Sequence, residues 1–360
     1  MPFSIDRYFD NAATTPVDPH VLEAMLPYFG TEFGNAHSVH SWGLAARKAV
    51  ERAREQVAAL IGAEDPLEVV FTSGATESNN WVLRAFEDAA VGPFEHSSVF
   101  ELARRTGRTI LQNSGLGVLA PERNHSLISQ MRVNNEIGAV FEVSDLASSC
   151  DALHSDITQA MGKIPVHLEE TPVDFASFSA HKFYGPKGVG GLFVKGGRFL
   201  VPLLEGGEQE DGRRSGTSNV PGIVGMGEAA RIARDRLEQD LAHAANLRRA
   251  VVESIRDVPD LRVNGGEHIS PFILSLSFRG LEGEALVLEL DRAGFAISSG
   301  AACSSRTTEP SWVLTALGYE PEWLRGTIRI SFGRFNTVAS AQGLAKALRA
   351  GVGTLLGLQV

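Results

Sequence analysis

Residues 177–194 read SFSAHKFYGPKGVGGLFV, and this stretch decides the fold. FASFS (175–179) and GLFV (191–194) are short runs of apolar and small residues, the pattern of buried strands. Between them lies a polar, glycine-bounded turn that holds Lys182. Most turn lysines are simply solvated. Lys182, however, has apolar and aromatic neighbours on both sides, and Ser179 and His181 just before it are suited to holding an anion. The flanking strands would carry it to the sheet edge, where open α/β sheets bind ligands. A lysine partly desolvated there loses basicity and becomes nucleophilic enough to form a Schiff base. Lys187 is a rival, set in the exposed-looking run Pro186-Lys187-Gly188.

Upstream, SDITQ (155–159) offers Asp156 as a carboxylate for a protonated pyridine nitrogen. Taken alone, the segment reads better as a helix or loop cap. LEVVF (67–71) is a strand pattern that runs into Thr72-Ser73-Gly74-Ala75-Thr76 and a new helix. Small residues at such a turn let backbone N–H groups approach an anion, and the helix N-terminus adds positive potential. An ordinary Ser/Thr cap fits the same residues, and neither nucleotide-binding glycine motif is present. Asp18-Pro19 opens a first helix, and a helix over 43–61 stops at Gly62. The stretch 140–156, VFEVSDLASSCDALHSD, is poor in apolar residues where a strand before Asp156 would be needed. Residues 223–255 form one long amphipathic helix that bridges two domains. A strand over 272–278, a helix over 281–293 and a strand over 327–332 follow. The alternation of helices with short apolar runs predicts an α/β fold, with a boundary near residue 238.

The chain has 360 residues, with 33 Lys plus Arg against 43 Asp plus Glu, a net charge of −10. This balance argues against direct nucleic-acid binding and against docking on an anionic membrane. The N-terminus shows no secretory pattern, and no run reaches the ~18–20 apolar residues of a membrane span. A cytoplasmic protein is the expectation. Two cysteines, Cys150 and Cys303, make neither a disulfide framework nor a four-thiolate metal site. Cys303 lies in SSGAACSSR (298–306), small or polar up to Pro310, which predicts a loop with an accessible thiol. Cys150 follows Leu146-Ala147-Ser148-Ser149 and reads as a small packed residue.

The combination resembles the cysteine desulfurases of the NifS/IscS type, within the class V aminotransferases of the fold-type I PLP enzymes. The resemblance runs from FDNAATTP (9–16) to IRISFGR (328–334), nearly the whole chain. FGNAHSVH (33–40), FTSGATESNN (71–80), VNNEIG (133–138), RRSGTSNV (213–220), VGMGEA (224–229) and EPSWVLTALG (309–318) carry it as well, together with the segments already quoted. It implies a large domain (14–238) with a mostly parallel central sheet flanked by helices. A smaller α+β domain would be built from 1–13 and 239–360.

The resemblance also implies roles. Lys182 would hold pyridoxal 5′-phosphate (PLP) through its amine and take the substrate Cα proton. Asp156 would pair with the ring nitrogen, Gln159 with the 3′-oxygen, and His96 would stack on the ring and move a proton. Ala75 (through its N–H), Thr76, Ser179 and His181 would hold the phosphate. Thr217 would reach the phosphate of a partner subunit in a homodimer. Asn135 and Arg329 would grip the substrate carboxylate, the arginine by a two-point fork. Cys303 would take the sulfur of L-cysteine as a persulfide and pass it to an acceptor such as an iron–sulfur scaffold protein.

Selenocysteine lyases and aminotransferases share the scaffold and are alternatives, as is a scaffold protein that has lost turnover. The run 91–131 is shorter than the family pattern leads one to expect, with a strand and part of a helix trimmed. In GGEQEDG (206–212), Glu208 stands where a third glycine is usual.

Overall fold

The structure is a computed structural model that describes residues 4–300 and 311–357. After an N-terminal arm come α1 (Pro19–Met25), α2 (Ser41–Ile61), β1 (Val69–Thr72), α3 (Ala75–Ala85), β2 (Ala89–Val91), α4 (Ser97–Thr106) and β3 (Thr109–Ile110). A small hairpin of β4 (Asn113–Ser114) and β5 (Gly117–Val118) precedes β6 (Leu127–Ser129), β7 (Leu153–Asp156), β8 (Phe175–Ser179) and β9 (Gly190–Val194). The rest comprises α5 (Val220–Ile255), β10 (Leu261–Val263), β11 (Ile273–Phe278), α6 (Gly283–Arg292) and β12 (Ser298–Ser299). The chain then gives α7 (Trp312–Ala316), α8 (Pro321–Leu324), β13 (Thr327–Ser331) and α9 (Val338–Leu356).

Local chemistry sets several boundaries. The Asp18 side chain accepts a hydrogen bond from His20 N at 3.0 Å, and Pro19 occupies the first helical position, so α1 starts there. Gly62 closes α2 with a φ of 61°, a left-handed conformation that costs glycine little. β1 begins at Val69 rather than Leu67, because Pro66–Glu68 forms a short 3-10 turn capped by Asp65.

The larger sheet has the order β1-β9-β8-β7-β6-β2-β3. β9 runs against both of its neighbours, β1 and β8, and the remaining pairs are parallel. The carboxyl ends of the parallel strands therefore meet along one edge, where ligand sites of open α/β sheets form. The α/β class with a mostly parallel central sheet is as expected. β7 is the exception to legibility: the apolar content of 140–156 gives no signal for it, yet all four of its residues are buried. Its polar side chain finds partners on the neighbouring strands. His154 bonds Ser129 on β6 at 2.8 Å and Ser177 on β8 at 2.9 Å. A buried polar group satisfied on both sides can sit in a sheet interior. At the far edge, within the run expected to be short, β3 has only two residues, both exposed.

The smaller sheet, β10-β11-β13-β12, is antiparallel throughout. Every residue of β11 is buried, so the strand expected over 272–278 presents no face to solvent. The N-terminal arm joins this sheet. Phe9 is wholly buried in its core, Tyr8 pairs with Ala296, and Asp10 pairs with Ser331. α5 serves both cores: residues through Ala233 pack under the larger sheet, and Ala244 onward pack with the smaller one. Near its middle Asp240 pairs with Arg334 at 2.7 Å, and Arg334 also pairs with Asp18 at 2.8 Å.

Candidate active site

The strand ends of the larger sheet, the arm and β13 enclose a cavity of about 360 Å³. After β1, Gly74 turns the chain into α3 with a φ of 154°, in the region L side chains rarely adopt. A Cβ at this position would lie 3.3 Å from Ser179 Oγ. The next amide, Ala75 N, donates to that same oxygen at 2.7 Å. The first turn of α3, with Ala75 and Thr76, thus lies against Ser179 and His181 on the cavity wall. The His181 ring is 3.1 Å from Thr14 Oγ1. Burial, then the cations Lys182, Lys187 and Lys163, push its pKa down to about 4. A helix N-terminus surrounded by cations favours an anion.

At the end of β7, Asp156 Oδ1 accepts from Thr158 N at 2.9 Å and Oδ2 accepts from Asn79 Nδ2 at 2.8 Å. One turn on, Gln159 Nε2 donates to Ala12 O at 2.9 Å, and its Oε1 accepts from Lys163 Nζ at 2.7 Å. Lys163 is buried. Desolvation, with Lys182 and Arg329 adding, pushes its pKa down to about 7. Lys182 follows β8 and donates to Ala12 O at 2.8 Å and Ala13 O at 2.7 Å. Lys187 is exposed and lines a separate cleft, whereas Lys182 lines the same cavity as Asp156 and His96.

From β2 the chain passes Glu95, whose burial pushes its carboxyl well above the usual range, and reaches His96 on the cavity wall. Asn135 enters after β6. Arg329 rises from β13 and is 2% exposed. Its Nη1 donates to Asn135 O and its Nη2 to Asp10 Oδ1, both at 2.8 Å. Its Nε is buried with no hydrogen-bond partner among the described residues. Arg329 lines the cavity, and a guanidinium there suits a carboxylate ligand. Part of the expected fork is thus already taken up by Asp10 and the Asn135 carbonyl.

This donor set fits PLP. A carboxylate, an amine, a helix N-terminus and an arginine line one cavity, the donors and acceptors that a phosphorylated pyridine aldehyde needs. Lys182, His96, Asp156, Gln159, Ala75, Thr76, Ser179, His181, Asn135 and Arg329 all line this one cavity. Thr217 does not. It is exposed and lines a smaller cleft of about 210 Å³ beside the end of β1, with Glu210 and Arg214. Glu208 is exposed there, whereas Glu210 pairs with buried Arg54 at 2.7 Å and accepts from Phe71 N at 3.0 Å. Cys303 lies outside the described residues. Cys150 closes a 3-10 turn over Ser144–Ser149, is half-buried, and burial pushes its thiol up. The sequence gives no sign of Asn79, Ser98, Lys163 or the Ala12 and Ala13 carbonyls as parts of the site. Only their partners in space reveal them.

The family described as aminotransferase class-V matches residues 7–344. The chain is 42% identical over 376 residues to the cysteine desulfurase IscS of Neisseria meningitidis serogroup C (strain 053442), covering 97% of this chain and 92% of that protein. It is 43% identical over 361 residues to the cysteine desulfurase IscS of Rickettsia akari (strain Hartford), covering 92% and 87%. Among solved structures, a NifS-like protein superposes with a TM-score of 0.88 at 35% identity, over 97% of this chain and 99% of that one. SspA in complex with cysteine superposes with a TM-score of 0.76 at 31% identity, over 92% and 100%. With this fold, this cavity and these relatives, the chain belongs to the class-V aminotransferase family.

Proposed function

We propose that this chain is a PLP-dependent cysteine desulfurase that converts L-cysteine to L-alanine and carries the sulfur on Cys303. The observation that carries this reading is the single cavity that joins Lys182, Asp156 and Arg329. Relatives named cysteine desulfurase and a structural neighbour in complex with cysteine support the substrate.

When bound, PLP supplies an electron sink for the charge that develops at the substrate Cα. Asp156 would accept a hydrogen bond from the ring nitrogen and keep it protonated. Gln159, its oxygen occupied by Lys163 and one amide hydrogen by Ala12 O, would offer its other amide hydrogen to the 3′-oxygen. Thr76, Ser179, His181 and the Ala75 N–H, which donates to Ser179 Oγ, would hold the phosphate. Arg329 and Asn135 fix the substrate carboxylate, and the Lys182 amine, once released, takes the Cα proton. His96, on the cavity wall, would lie against the ring. The Cys303 thiolate attacks the substrate sulfur. A sulfur–sulfur bond forms and the carbon–sulfur bond breaks. Its electron pair stays on the carbon fragment, which leaves as alanine after protonation.

A homodimer completes this reading, with Thr217 reaching the partner's phosphate. Phe29, Phe33, Val39 and Trp42 stand exposed within one short run, an apolar surface that a second copy would cover. The sulfur acceptor is a carrier such as an iron–sulfur scaffold protein. A persulfide carrier suits a reducing, cytoplasmic setting. Among the described residues, no helix is long and apolar enough to cross a membrane.

The test is turnover of L-cysteine by the PLP-loaded protein, with selenocysteine and cysteine sulfinate compared for alanine formation. Cys303→Ala should keep the PLP absorbance and lose sulfide release. Full sulfide release by that variant would remove the persulfide step.

A further inference from the structure

His96 and Asp156 stand on different elements of the cavity, yet three hydrogen bonds join them. Asn79, on α3, donates from Nδ2 to Asp156 Oδ2 at 2.8 Å. The same nitrogen donates to Ser98 Oγ, also at 2.8 Å. Ser98 Oγ lies 2.8 Å from His96 Nδ1. The backbone N–H of Ser98 donates to that ring nitrogen as well, at 3.2 Å, which makes His96 the N-cap of α4.

Each donor along this path is fixed by the one before it. A carboxylate oxygen accepts, so the Asn79 amide must turn its NH₂ towards Asp156; reversed, it would set oxygen against oxygen. The second amide hydrogen then occupies a lone pair of Ser98 Oγ and leaves the hydroxyl hydrogen to point at His96. A backbone N–H can only donate, so Nδ1 of His96 must offer a lone pair. An imidazole whose Nδ1 accepts carries its proton on Nε2.

We propose that Ser98 and Asn79 are positioning residues that hold resting His96 as the neutral tautomer protonated on Nε2. His96 then meets the substrate as a hydrogen-bond donor, and the Cα proton falls to Lys182. The charged groups acting on His96 agree with this. Burial lowers its basicity, Asp156 on β7 opposes, and Lys182 after β8 lowers it further. Its chain neighbour Glu95 is held towards its neutral form. Hydrogen bonds made to the neutral ring add to the preference.

The inference rests on the site reading above, but its test does not depend on turnover. Long-range ¹H–¹⁵N spectra of ¹⁵N-histidine-labelled protein, with His96→Gln for assignment, report the tautomer and the titration midpoint in both the apo and PLP-loaded chain. The expected result is an Nε2–H pattern in the parent protein. Ser98→Ala should move the His96 midpoint up by roughly one pH unit, the worth of one lost hydrogen bond. Ser98→Thr should restore it. An Nδ1–H pattern, or a midpoint unchanged in Ser98→Ala, overturns the proposal. Failure to bind PLP while the apo chain keeps the Nε2–H pattern overturns the site reading and leaves the tautomer assignment standing.

Discussion

The two flanks of the larger sheet supply the site in different ways. On the β7–β8 flank the strands are four and five residues long and fully buried. Asp156 and Lys182 take their positions from that backbone, and Lys182 is steadied by two carbonyls of the arm. On the β2–β3 flank the sheet thins to an edge strand of two exposed residues. His96 comes from this side, and side chains hold it where strands do not. The relay through Ser98 and Asn79 ties α4 to the end of β7. A thin edge can hold a cavity residue in place when that residue is fastened to the thicker flank.

Substitutions on the two flanks should separate them. The largest effect belongs to Lys182→Ala, which should abolish cysteine turnover and leave no PLP adduct that borohydride can fix to the protein. An adduct persisting at Lys187 would move the centre of the site off the β8 turn. Next comes His154→Ala, in the interior of the same flank. It removes a ring bonded to Ser129 and Ser177 and opens a cavity, at a cost of about 3–4 kcal/mol in denaturant unfolding.

Acid reads the same residue. Burial pushes the His154 pKa from 6.5 down to about 4, with Asp156 opposing. Between those values the unfolded chain binds a proton that the native chain does not. Stability should therefore fall as pH drops from 6.5 towards 4, by on the order of 3 kcal/mol from this group. The variant should lose this part of the slope, as urea midpoints across the window would report. An unchanged slope would mean that His154 is not held neutral between its serines. The smallest effect is expected at the other flank. Ile110→Lys on exposed β3 should change stability by no more than about 0.5 kcal/mol. A large loss there would show that the thin edge bears more of the fold than its exposure implies.

The sequence discloses those parts of the molecule whose causes are local. Asp18-Pro19 and Gly62 punctuate helices through their own backbone chemistry, and Phe175–Ser179 is a strand by composition. Most of the cavity residues come through the family resemblance, because they sit in matching segments; His96 stands apart, in the run 91–131 that departs from the family pattern. What stays hidden depends on partners distant in the chain. Leu153–Asp156 looks too polar for a buried strand until Ser129 and Ser177 are seen on either side of His154. Lys163, in Gly162-Lys163-Ile164-Pro165, reads as a surface lysine; Gln159 and the closed fold around it make it a buried one. Ser98 and Asn79 look like helix polar residues, and only the meeting of α3, α4 and β7 gives them work.

The long helix α5 has a consequence for how the molecule comes apart. Its 36 residues run roughly 54 Å without a break. One half is embedded in each core, and the Arg334 clamp closes on its middle. Melting cannot begin at a hinge between the halves, since the covalent join between them is itself continuous secondary structure. Loss of order in either core should then propagate along the shared rod, with the two sheets losing structure in a single unfolding transition.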